Sequence, residues 1–152
     1  MRPTLRDRTP APHQLVRDVV FPRTPGVYVV YEPHPPAERP LYVGVAATQT
    51  LCERWCAQHL KNRAGGSALR RTLGVDLALV ETKLTHRVGR YYPDDVEQAI
   101  TDFLESCEIE LYSTATADEA EDLEVELRER LQPRLNISRG RRRRRSSRGP
   151  TN

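Results

Sequence analysis

Gly26-Val27-Tyr28-Val29-Val30-Tyr31 and Leu41-Tyr42-Val43-Gly44-Val45 are the two stretches whose reading decides the fold. Both are rich in β-branched and aromatic residues, which suit a pleated, half-buried surface, and each predicts a strand. The interval 32–40 contains four prolines and must be a loop, so the pair most simply forms a hairpin with a long connection. Strand alternation puts Val27, Val29 and Tyr31 on one face and Tyr28 and Val30 on the other. In the second strand Leu41, Val43 and Val45 share a face, leaving Tyr42 and Gly44 together. A glycine beside a tyrosine leaves a gap that a ligand or another backbone can enter. Tyr28 and Tyr42 can therefore line one surface, or they can simply be half-buried sheet aromatics with wet hydroxyls.

Outward from the hairpin, residues 51–61 read as a helix with Leu51, Trp55 and Leu60 as apolar contacts and Arg54 on their rim. Ala64-Gly65-Gly66 is a break, and Ser67 is placed to cap a short helix through Leu73. Residues 75–80 read as a third strand. Pro93 starts a helix with Val96, Ile100, Phe103 and Leu104 at helical spacing and Asp94, Asp95 and Glu97 in its first turn. Residues 108–112 suit an edge strand. Residues 116–131 form a helix, stopped by Pro133, whose buried stripe is Ala120, Leu123, Leu127 and Leu131. Glu124 lies within that stripe, whereas Glu121, Asp122, Glu126 and Glu129 are freer to meet solvent. A carboxylate on a core-facing stripe is costly unless it is paired or bound to a metal. The order of elements predicts a small α/β (α+β) domain at 25–137, preceded by an arm at 1–24 and followed by a disordered tail at 138–152.

With 152 residues the chain has room for one core, and 30% charged residues give it a strongly polar surface. No run approaches the roughly 18 apolar residues of a membrane span. The start, Met1-Arg2-Pro3-Thr4, leads into more arginine and proline, so no secretory signal is expected. Cys52, Cys56 and Cys107 form an odd set without framework spacing, which fits a reducing, cytoplasmic location. Cys52 and Cys56 share a helix face, but two soft ligands without a second pair do not make a zinc site. Gly65-Gly66-Ser67 lacks the ending of a phosphate loop and reads as a turn. The net charge of +3 hides a strong segregation. Residues 1–71 carry 11 Lys/Arg against 5 Asp/Glu, residues 72–138 carry 6 against 16, and residues 139–152 carry seven arginines and no acid. Such segregation points to a polyanionic partner for the basic parts.

Gly26-Val27-Tyr28 and Tyr42-Val43-Gly44 resemble the two halves of the GIY-YIG nuclease signature. Leu51-Cys52-Glu53-Arg54 is similar to the Leu-x-x-Arg of that family's first helix. Leu123-Glu124-Val125-Glu126-Leu127, followed by Pro133-Arg134-Leu135-Asn136, resembles its ending. The resemblance spans about residues 25–137. It implies a three-stranded antiparallel sheet flanked by helices and a metal-dependent endonuclease acting on DNA, branched or single-stranded forms included and RNA not excluded. By the same resemblance Glu124 would hold one Mg2+ or Mn2+ ion and Arg54 would bind the scissile phosphate. Tyr28 and Tyr42 would position or deprotonate the attacking water, and Asn136 would support the site. Apart from the resemblance, Gly44 is expected at the nucleic-acid surface, and Lys61, Arg63, Arg70 and Arg71 read as contacts to the nucleic-acid backbone or as solvated charges, not as catalytic groups.

Two positions depart from the pattern. Val45 stands where many relatives carry a lysine. Relatives with a histidine after the arginine often place it four residues on, but position 58 is Gln58 and the histidine is His59. At about 100° per α-helical residue, His59 swings roughly 140° from Arg54 and is expected outside the site. His86 has no defined place. These departures leave a second reading, a catalytically weak relative that binds nucleic acid without cutting it.

Arg141, Arg142, Arg143, Arg144 and Arg145, flanked by Arg139 and Arg148, attract phosphates without reading bases. Cutting the chain after Ile137 is expected to weaken DNA binding alike for any sequence. The salt slope should fall by about 3, half the ceiling near ~6 that full engagement of the tail would set. Parallel plots of log affinity against log salt for the two proteins would show that the tail serves another purpose.

Overall fold

In the computed structural model, which describes residues 13–33, 39–85 and 90–135, the central hairpin is present. Strand β1 is Gln14–Leu15, β2 is Gly26–Tyr31, β3 is Tyr42–Ala46 and β4 is Glu108–Ser113. All pairings are antiparallel and the order is β1-β4-β2-β3. Among the described residues the sheet thus has four strands where three were expected. The addition is the two-residue β1, which lies beside β4, the strand expected at the edge. The register sets Tyr28 opposite Gly44 and Val30 opposite Tyr42. Gly26 is required by close approach, since a Cβ there would lie 2.3 Å from the Tyr112 carbonyl oxygen.

The expected strand at 75–80 is absent. Helix α2 (Ala68–Asp76) runs through Val75, and 77–80 fold back as a turn in which Ala78 has φ 58°. The amide of Leu77 donates to the Leu73 carbonyl, and those of Leu79 and Val80 both donate to Gly74. The helix end thus claims the donors that a strand would have needed.

Side chains on the two faces of β2 and β3 enter separate cores. Val27, Val29, Val43 and Val45 pack with Ala120, Leu123 and Leu127 of α4 (Ala117–Leu131). Tyr28, Val30 and Tyr42 join Leu51, Trp55, Leu69, Leu73, Ile100 and Leu104 on the opposite face. Leu41 precedes β3 and is buried on the Tyr28 side, so it does not share the face of Val43 as alternation suggested. Val45 is a packing residue under α4. No helix among the described residues is long and apolar enough to cross a membrane.

Local chemistry sets the helix starts. Thr50 caps α1 (Leu51–Arg54) in a reciprocal box with Glu53, Ser67 caps α2 and Thr116 caps α4. Helix α3 (Asp94–Ser106) follows Pro93 with its acidic first turn. One of those acids, Glu97, does more than face the helix dipole. It is 1% exposed and forms an ion pair at 2.8 Å with Arg70, which is 0% exposed. The remaining Glu97 oxygen accepts from the amides of Ala64 and Tyr92, while Arg70 also donates to Thr101 and to the carbonyls of Glu97 and His59. Removing one partner strands a charge in a desolvated setting. Glu97→Ala is expected to lower stability by about 3–5 kcal/mol, read as a fall in the urea midpoint; a loss below about 1 kcal/mol, the scale of an exposed pair, would mean that the pair is not structural.

Candidate active site

Tyr28 is the centre of a buried cluster. Its ring is 0% exposed and lies directly across the strand pair over Gly44, where a Cβ would come within 2.4 Å of the ring. The gap expected beside Tyr42 is thus occupied by Tyr28 itself, and Gly44 is a seat for that ring, not an opening for a ligand. Tyr42 packs beside it with ring centroids 6.0 Å apart. Trp55 meets the Tyr28 ring in a T-shaped contact at 5.2 Å and stacks on Phe21 at 5.4 Å.

His59 was expected to point away and does not. It is 3% exposed, and its Nε2 shares a hydrogen bond of 2.6 Å with the Tyr28 hydroxyl. The cause lies in the helix. After α1 the backbone widens into a π turn over Trp55–His59, and the Leu60 amide donates to the Trp55 carbonyl five residues back. A π turn closes one residue later than an α turn, so a histidine five residues after Arg54 returns to the face that one four residues on would hold in an α-helix. Gln58, which occupies that fourth place, accepts a 2.6 Å hydrogen bond from Arg54 Nη1. The other nitrogen of His59, Nδ1, lies 2.8 Å from Ser67 Oγ.

Arg54 is half-buried, and its Nε has no hydrogen-bond acceptor in good geometry among the described residues. An inward-facing cationic donor of this kind suits an anion. Glu124 is 2% exposed and sits 3.6 Å from Arg128, one turn along α4. Its carboxylate field reaches Tyr28 although α4 covers the opposite face of the sheet. Burial, and after it Tyr42, pushes the Tyr28 hydroxyl well above the usual phenol range; Arg54 pulls the other way and Glu124 adds to the rise. Burial, then the charges of Arg54 and Arg70, holds His59 well below the usual imidazole range. The ring is therefore neutral at physiological pH.

The basic residues separate into two groups. Lys61 and Arg63 are exposed, with Arg63 over the Tyr91 ring at 5.1 Å. Arg70 is buried in its pair with Glu97 and cannot reach a ligand. Arg71 is partly buried and donates to the Gly65 carbonyl at 2.7 Å. Asn136, His86, Arg141, Arg142, Arg143, Arg144 and Arg145 lie outside the described residues, as does the tail from 138 onward. Sequence reasoning missed the inward placement of His59, the contact of the capping Ser67 with that ring, and the buried pairing of Glu97 with Arg70. The Arg54-x-x-x-x-His59 spacing was the only visible trace of the first.

Among the described residues no group of three or more His, Cys, Asp or Glu side chains gathers as a ready-made metal cage. A single buried carboxylate is nonetheless compatible with magnesium, which keeps several waters and takes one or two carboxylates together with substrate phosphate. A family model described as the GIY-YIG catalytic domain matches residues 33–148. The match covers Tyr42, Arg54, His59 and Glu124, while Tyr28 precedes it and is joined to it through the β2–β3 pairing. No curated protein and no solved structure matches the chain.

The neutral state of His59 has a consequence for acid stability. Its folded pKa is depressed, so below about 6.5 the unfolded chain binds a proton that the folded chain does not. The stabilisation is fully present above about 6.5 and is lost as pH falls from there toward the folded value. Between pH 6.5 and 5, urea unfolding should show wild type losing stability more steeply than His59→Gln, by up to ~1.4 kcal/mol per pH unit. Equal slopes would mean that the buried ring is not the proton acceptor.

Proposed function

Because this chain belongs to the GIY-YIG catalytic domain family, a family of nucleases that generally depend on divalent metals, we propose that it is a metal-dependent endonuclease hydrolysing DNA phosphodiester bonds. The observation that carries the reading is the convergence of three segments on one hydroxyl: Tyr28 from β2, Tyr42 and the Gly44 seat from β3, and Arg54 and His59 from the first helix. Arg54 binds the scissile phosphate through its planar donor fork and offsets charge building on it. Tyr28 and Tyr42 orient the attacking water, with the Tyr28 oxygen placed to take part in moving its proton. His59 holds that oxygen from behind as a neutral group, adding no charge. Glu124 holds one Mg2+ or Mn2+ ion, which supplies Lewis-acid charge to the phosphate and to water. Asn136 supports the site, and Lys61, Arg63 and the arginine tail meet the DNA backbone.

The alternative, binding without cutting, draws on Val45, which puts an apolar packing side chain where a lysine would carry charge. Incubation of the purified chain with supercoiled, branched and single-stranded DNA, in magnesium, manganese or chelator, separates the two. Cleavage that requires metal supports the nuclease; retention without cleavage on every substrate supports the alternative. Within the nuclease reading, Glu124→Gln should abolish cleavage while DNA binding stays near wild type. Arg54→Lys should lower turnover at saturating substrate by about 100-fold or more, since an ammonium reproduces a planar fork poorly. Wild-type turnover in either variant would remove that residue from the mechanism.

A further inference from the structure

Tyr91 is 55% exposed, and among the described residues it is the only Phe, Trp or Tyr left open to that degree. Its ring is not bare, because the Arg63 guanidinium lies over it, 5.1 Å from the ring centroid. Lys61, two residues before Arg63, and Arg90, next to Tyr91, are exposed as well. None of these three cations has a carboxylate within ion-pair distance among the described residues.

The backbone fixes both members of the stacked pair. One oxygen of Glu97, Oε2, accepts from the Ala64 amide at 2.9 Å and from the Tyr92 amide at 2.8 Å. Arg63 and Tyr91 thus each stand one residue before an amide held by the same atom. The Gly65 amide also donates to the Arg90 carbonyl at 2.8 Å, which ties the two segments together a second time. Tyr92 turns inward, its hydroxyl donating to the Arg71 carbonyl, while Tyr91 is left outside. A ring held in place beforehand loses little freedom when a flat ligand settles on it.

A guanidinium lying over a phenol ring offers a planar surface on which a nucleobase can stack, whatever its sequence. The N–H groups in the guanidinium plane stay available for phosphate oxygens. Bases inside a duplex are already stacked on one another, so this surface suits an unpaired strand. Asp94 and Asp95, three and four positions after Tyr91, are exposed and offset part of the local positive charge. Stacking, more than charge, therefore sets what the patch prefers. Arg63 follows His59 by four residues, which limits their Cα separation to about 14 Å. That is about four rises of a stacked strand at ~3.4 Å each.

We infer that the Tyr91–Arg63 stack is a subsite for an unpaired base, selecting DNA that carries a single-stranded or branched segment beside the site of cleavage. The inference rests on the nuclease reading for its purpose, but base stacking does not depend on cleavage.

The test is binding of the full-length protein, in chelator so that nothing is cut, to three probes: a single-stranded oligonucleotide, its duplex, and an abasic strand of the same length. Tyr91→Ala should lower single-strand affinity by about 5- to 100-fold and leave duplex and abasic-strand affinity within about twofold of wild type. Tyr91→Phe, which keeps the ring, should bind single strands as wild type does. The slope of log affinity against log salt should stay unchanged in Tyr91→Ala, because no phosphate contact is lost. In magnesium, Tyr91→Ala should raise KM for branched DNA with kcat near wild type. An equal loss on all three probes, or a loss accompanied by a lower salt slope, would reveal a general charge effect and overturn the inference. Undiminished single-strand binding by Tyr91→Ala would overturn it as well. If wild type cuts no substrate while the Tyr91 effect on single strands is present, the nuclease reading fails and the subsite stands. If wild type cuts and the Tyr91 effect is missing, the subsite fails and the nuclease reading stands.

Discussion

The pair of Arg70 and Glu97 lies at the junction of everything that holds the site from outside the sheet. Desolvating a guanidinium and a carboxylate is expensive, and here nearly every donor and acceptor on the two groups is used. Through those bonds α2 is fixed to α3, the segment after the π turn is fixed to both, and Tyr92 is drawn in to fill the space that Gly74 leaves open. A hydrophobic contact of equal area could supply cohesion but not this directional registry. His59 inherits its position from that registry, because its carbonyl is one of the acceptors.

Much of the fold was legible because its signals are local. The β-branched runs gave the hairpin, the cap residues gave the helix starts, and the helical stripe singled out Glu124, which is indeed buried. Residues 75–80 misled because Val-Asp-Leu-Ala-Leu-Val has strand composition, while the end of the preceding helix competes for the same groups: its carbonyls capture the amides of that segment. Arg70 was read as a nucleic-acid contact or solvated charge and Glu97 as a first-turn helix acid, because nothing in a single sequence shows two ionised groups 27 positions apart meeting in the interior.

The site was legible in part for a related reason. Residue types and order pointed to Tyr28, Tyr42 and Arg54, and the chain does bring them into one neighbourhood. His59 was lost to an assumed α-helical period. A widened turn lets one extra residue pass without moving the side chains on either side of it, so spacing and placement come apart. Gly44 was misjudged in the opposite way, since the space beside a glycine says nothing about what fills it. Here the filler is the cross-strand tyrosine.

Trp55 is the one tryptophan in the chain, and it is wholly buried. Its indole touches Phe21, Tyr28, and the His59 ring at 4.9 Å. The molecule thereby contains a single indole fluorophore, lodged against the groups that define the cluster and against the segment that precedes the hairpin. Its emission reports one environment, undiluted by other indoles. A local loosening around Tyr28 and a global loss of structure both pass through the same optical signal, so the integrity of this cluster can be followed in dilute solution without attaching any label.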